Sequence, residues 1–110
     1  MVYQSELRPW LIDTLNFMIE QLNQARVPSE QLVAVDAVAG LLPYLLVRLK
    51  EDTTIAAHFA LALDVWIDPN HAKRVWNLLA NEPPATFAQS ANDLIQRLEI
   101  LETIVRSTPA

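Results

Sequence analysis

The sequence has no cysteine and a single glycine, and these two shortages exclude several kinds of site. Without cysteine the chain can form no disulfide, no thiolate nucleophile, no zinc–thiolate centre and no iron–sulfur cluster. One glycine is too few for a phosphate-binding loop, which needs several residues with free backbone torsions. The spacings of a nucleophile elbow and of a zinc protease are also missing, so we predict no enzyme, no metal and no cofactor.

Basic residues are also in the minority. Eight Lys and Arg stand against 13 Asp and Glu, giving a formal net charge of -5. This balance argues against a nucleic-acid phosphate backbone as the main partner. The N-terminus, Met1 to Glu6, has no basic region followed by an apolar run, so we expect no secretory signal and a cytoplasmic protein.

Apolar residues are plentiful by contrast. They make up 52% of the 110 residues, while charged residues make up 19%, and this composition excludes intrinsic disorder. A chain of this length can bury one hydrophobic core without disulfides or metals. We therefore predict one domain over residues 1–110.

The apolar residues recur at helical spacing, and no segment alternates like a strand. Prolines and capping residues divide the chain into five or six segments. The predicted helices run from Ser5 or Pro9 to Ala25, from a Ser29 cap to Gly40 or Leu42, and from Pro43 to Lys50. The later ones run from a Glu51–Asp52–Thr53 cap over Thr54 to Ile67, from Asp68–Pro69 to Asn81, and from a Thr86 capping box to Arg106. Pro43 is expected to kink or interrupt the second of these.

Short connections favour antiparallel neighbours, so the predicted fold is all-α, a single compact bundle of five to six helices. If Pro43 only kinks the helix before it, the helix that begins at Thr54 is the third. It is apolar on nearly every side, so we expect it at the centre of the bundle. The apolar run from Leu32 to Leu49 approaches the length of a membrane span. Because Asp36, Gly40 and Pro43 interrupt it, we expect a core segment and no membrane. Asp36 is expected either at a solvent edge or paired with a distant arginine such as Arg48, Arg74 or Arg97.

The first and last predicted helices each carry one regular apolar stripe, with steps of three and four residues. The stripes are Leu7, Leu11, Leu15, Met18, Leu22 and Ala25, and Phe87, Ala91, Leu94, Leu98, Leu101 and Val105. Ile12 and Ile19 lie on one flank of the first stripe, and four further large apolar residues also fall outside the stripes: Trp10, Phe17, Ile100 and Ile104. Either other helices of the chain cover them, or they form a patch that a second copy closes.

These features predict a non-enzymatic protein interaction module, such as an adaptor, assembly factor, inhibitor or small subunit. It would self-associate through the first and last helices. An alternative is a small-molecule or metal-binding bundle, or an enzyme, with a pocket near His58, Asp64 and Trp66. Asp64, Asp68 and His71 have the spacing of three ligands on one helical face, although Pro69 interrupts it. A third alternative, a DNA-binding regulator, would use Lys73 and Arg74.

Overall fold

The computed structural model describes residues 2–108 of the chain, with side chains described from Leu7 to Thr108. Met1, Pro109 and Ala110 of the predicted domain lie outside these residues. Within the described part the chain forms six helices and no strand, which confirms the all-α prediction. They are α1 (Val2–Gln24), α2 (Pro28–Leu49), α3 (Thr53–Ala62), α4 (Asp64–Ile67), α5 (Ala72–Ala80) and α6 (Pro84–Ser107).

The long terminal helices α1 and α6 form the most extensive helix–helix contact, and α2 packs beside α1. Both predicted stripes are buried along their whole length, so the apolar spacing correctly predicted the inward sides of these helices. The buried apolar residues of all six helices join into one cluster. The radius of gyration of 14.0 Å is close to the ~13 Å typical of a compact chain of this length.

The smaller helices close the core with an aromatic pair. Trp66 of α4 and Trp76 of α5 pack with ring centroids 4.6 Å apart and ring planes tilted by 54°. The Trp76 indole N–H donates to the Trp66 carbonyl oxygen at 3.1 Å, so the buried polar end of this side chain is satisfied. The pair holds α5 against α4.

Pro43 does not divide α2, which continues unbroken from Pro28 to Leu49. The residue lies on the exposed side of the helix, where water can bond the carbonyl oxygen that proline leaves without a donor. Ser29 is not the cap either, because α2 begins one residue earlier with Pro28 at its first position. The fixed φ of proline suits that position, since its missing N–H would have had no helical partner.

The expectation of a central third helix is wrong in two respects. The segment is divided at Leu63, where the backbone leaves helical geometry (φ -117°, ψ 26°) and α4 begins. Within α3 only Ile55 and Phe59 are buried, and Leu61 is 78% exposed. Much of the apolar character of α3 comes from alanine, which favours helix formation and has little surface to bury.

The predicted caps have different outcomes. Asp52 caps α3 as expected, since its carboxylate accepts from the backbone N–H groups of Thr54 and Ile55. Thr86 does not cap α6, which already begins at Pro84. Asp68 forms a turn instead of opening a helix, so α5 starts later, at Ala72.

Candidate functional site

The outward side of α2 carries four large exposed apolar side chains, more than any other helix in the described part of the chain. Four of its side chains are more than half exposed: Leu32 at 52%, Val33 at 64%, Tyr44 at 69% and Val47 at 63%. Asp36, Gly40 and Pro43 lie between them and are also exposed. We call this set of seven residues the outer face of α2.

The opposite side of α2 supplies the contacts with the core. Its buried residues are Gln31, Ala34, Val35, Val38, Leu42, Leu45 and Leu49. A helix that packs one side against a core normally carries polar residues on the other. Here both sides are apolar, so core packing accounts for only one of them. Apolar surfaces of this kind mark contacts with another molecule.

Gly40 is the only glycine in the chain and lies in the middle of the outer face. Its φ is not positive, and a β-carbon added there would meet no side chain or neighbouring helix of the described chain within 4 Å. A glycine inside a helix costs about 1 kcal/mol relative to alanine. Neither backbone conformation nor packing within the chain requires this glycine.

The charges near α2 lie mainly at its two ends. Glu30 accepts from the Arg26 backbone N–H at 2.9 Å, and Arg48 pairs with Glu51 at 2.7 Å. Between these ends, Asp36 is the only charged residue of the outer face. Its exposure confirms the predicted solvent edge. The outer face is therefore an apolar strip with a single carboxylate four residues before Gly40.

The patch predicted from the terminal helices is partly exposed. Phe17 is 43% exposed and Ile100 57%, whereas Trp10 and Ile104 are half-buried. The Arg48 guanidinium lies 4.7 Å from the centre of the Trp10 ring, so this residue borders α2.

Ile100 and Ile104 lie on α6, close in sequence to a contact with another helix. Arg97, three residues before Ile100, donates to the Ala62 carbonyl oxygen of α3 at 2.9 Å. The four predicted residues lie on α1 and α6, two helices that contact each other. Their role in self-association remains a prediction.

The residues of the alternative pocket face different surroundings. His58 and Asp64 are exposed, and the Asp64 carboxylate accepts from the neighbouring Val65 N–H. Trp66 is buried against Trp76, and the apolar gap beside it has no room for a water molecule. These side chains line no common enclosed pocket. In the described part of the chain, no three His, Asp or Glu side chains converge as metal ligands.

The polar groups before α5 form a turn. The Asp68 carboxylate accepts from the Asn70 backbone N–H and contacts the His71 ring, both at 2.9 Å. The Asn70 hydrogen bond, with a smaller contribution from His71, holds the pKa of Asp68 below its usual value. Lys73 and Arg74 follow on the exposed side of α5.

Sequence reasoning missed the outer face because it divided α2 at Pro43. Projecting residues 28–49 as one helix would have placed Val33, Gly40, Tyr44 and Val47 on a single side. By length and composition, α2 is also the one helix among the described residues that could cross a membrane, with 33% of its most apolar window buried. Core helices of folded domains meet the same criteria, so they do not assign α2 to a bilayer.

We compared the chain with models of known protein families, with curated proteins and with solved structures, and none of the three searches gives a match.

Proposed function

We propose that this chain is a non-enzymatic protein interaction module, of the adaptor, assembly-factor, inhibitor or small-subunit kind, and that the outer face of α2 is its main contact surface. The observation that carries the proposal is the pair of apolar sides on α2. The core covers one side, whereas Val33, Tyr44 and Val47 on the other are about two-thirds exposed. The proposal includes the cytoplasmic location and the antiparallel bundle arrangement predicted from the sequence.

The shape and chemistry of the outer face suit a protein partner. Its aliphatic residues and one tyrosine offer the mixture of apolar area and hydroxyl group common in protein interfaces. A rigid helix held by seven buried residues loses little conformational freedom when a partner docks, which favours binding.

The edges of α1 and α6 are a second candidate surface for the same function. Phe17 and Ile100 leave large apolar areas open there, as a self-association surface requires. An Ile100→Asp, Ile104→Asp variant that keeps its fold but loses self-association would support this surface. If the variant associates to the same mass as the wild type, this surface does not mediate self-association.

Site-specific photo-crosslinking in the source organism tests the proposal. A photoreactive phenylalanine analogue would replace Tyr44 on the outer face, Ile100 on the second surface, or Gln89 on an exposed polar part of α6. We expect a covalent product with a protein from position 44 and none from position 89. If a folded chain gives no product from position 44 or position 100, the proposed function is wrong.

A further inference from the structure

The outer face has a symmetric order of residues around Gly40. Val33 and Val47 lie seven residues before and after it, and Asp36 and Tyr44 lie four residues before and after it. Separations of four and seven residues return to the same side of a helix. All five residues are exposed along one continuous helix. The face thus has an apolar residue at each end and a polar group on each side of its centre.

This order is self-complementary when two copies of α2 are antiparallel. A two-fold axis passing at Gly40 places Val33 of one copy level with Val47 of the other. The same axis places Asp36 of one copy level with Tyr44 of the other, where the phenolic O–H can donate to the carboxylate. A parallel pair would instead bring the two Asp36 carboxylates together, which is unfavourable.

Gly40 supplies an independent reason for a close helix contact. No other part of the described chain requires a glycine there, since an added β-carbon would meet no side chain and no neighbouring helix within 4 Å. A missing side chain at a crossing point lets two helix backbones approach closely. A two-fold axis at Gly40 would bring the two glycines together at that crossing.

We propose that the partner of the outer face is a second copy of this chain, docked with the two α2 helices antiparallel and crossing at Gly40. The inference rests on the proposed function and names its partner. The outer face from Val33 to Val47 is about 21 Å long and about 10 Å wide. A strip of this size covers about 210 Å² on each copy, less than the surface that stable dimers bury, so the association is weak and concentration-dependent.

Sedimentation equilibrium over a range of concentrations tests the surface and its register with three lysine variants. Val47→Lys puts a charge opposite Val33, so we expect self-association to weaken by at least about tenfold. Tyr44→Lys puts the same charge opposite Asp36 and should leave the dissociation constant within about threefold. Leu61→Lys, on α3, is the control for the added charge and should change nothing.

Gly40→Ala should stabilise the fold of the single chain and weaken its self-association. The unfolding temperature of the dissociated chain should rise by about 4 °C, because alanine favours the helix and has room there. The dissociation constant should nevertheless increase by about tenfold, because β-carbons now separate the two backbones. In the oxidised Gly40→Cys variant, two copies should join by a disulfide, since bonded cysteines have α-carbons about 4.4–6.8 Å apart.

Several results would overturn the inference. If the wild-type chain stays monomeric at millimolar concentration, a second copy is not the partner. If Tyr44→Lys and Val47→Lys weaken self-association equally, the antiparallel register is wrong. If Val47→Lys and Leu61→Lys have equal effects on the dissociation constant, the outer face is not the contact surface. Binding of the monomer to phosphatidylcholine vesicles that Val47→Lys abolishes would assign the face to lipid. A photo-crosslink from position 44 to another protein but not to this chain overturns the inference and leaves the proposed function standing.

Discussion

Two neighbouring residues of α2 give a direct test of how this helix is oriented. Leu45 is fully buried, whereas Tyr44 is 69% exposed. Leu45→Ala removes three buried carbon atoms and leaves a cavity, which costs about 2–5 kcal/mol of unfolding free energy. Tyr44→Ala removes more atoms, but water already surrounds most of them, so its cost in the monomer should stay within about 0.5 kcal/mol.

Thermal and urea unfolding of the monomer measure this difference. A chain of this size shifts its melting temperature by roughly 4 °C per kcal/mol, so Leu45→Ala should melt about 8–20 °C lower and Tyr44→Ala within about 2 °C of wild type. The urea midpoint should move in the same order, with an unchanged slope. Similar losses for both variants, or a larger loss for Tyr44→Ala, would contradict the assignment of inward and outward sides.

Substitutions at three further residues test local features of the fold. Asp52→Ala removes both hydrogen bonds at the start of α3 and should lower the unfolding free energy, measured in urea, by about 1 kcal/mol. Asp52→Asn should retain most of the stability, and equal losses for the two variants would contradict the cap. Trp76→Phe removes the hydrogen bond to the Trp66 carbonyl oxygen together with ring volume, and should cost about 2–3 kcal/mol; a loss below about 0.5 kcal/mol would contradict the buried pair. The lowered pKa of Asp68 stabilises the fold above the usual aspartate pKa, and this contribution is lost as the pH falls through the lowered value. Asp68→Asn should therefore flatten the acid side of the stability curve, and an NMR titration that gives Asp68 an ordinary pKa would contradict the turn geometry.

The inward sides of the terminal helices could be predicted because their apolar residues follow one regular spacing. Leu11, Leu15 and Met18 of α1, and Leu94 and Leu98 of α6, are all buried as predicted. Each of these helices has enough polar residues elsewhere to make the apolar side stand out. Periodicity alone was sufficient for them.

The middle of the chain could not be predicted in the same way because its apolar residues do not mark one side. In α3, alanines gave an apolar pattern without large surfaces to bury, and Leu61 is exposed. In α2 the core covers Leu45 and the outer face keeps Val47 exposed, and because both side chains are apolar, residue type alone does not show which of the two is buried. Tertiary contacts decide which side faces the core.

The position of Pro43 did not predict a helix boundary correctly. Inside a helix, proline removes one hydrogen bond and its ring clashes with the carbonyl oxygen four residues before, so it kinks or breaks a helix that other contacts do not hold. At an exposed position water satisfies the freed carbonyl oxygen, and the buried residues Leu42 and Leu45 on either side hold the helix together. Treating Pro43 as a boundary therefore concealed the symmetric surface around Gly40.

The most direct test of the central claim measures whether the outer face becomes covered when copies associate. A soluble paramagnetic probe broadens the NMR signals of methyl groups that water can reach. We expect strong broadening of the Val33 and Val47 methyls at low protein concentration, protection of both at high concentration, and broadening of the Leu61 methyls at every concentration. Val33 and Val47 methyls that remain equally broadened while the chain associates would contradict the account.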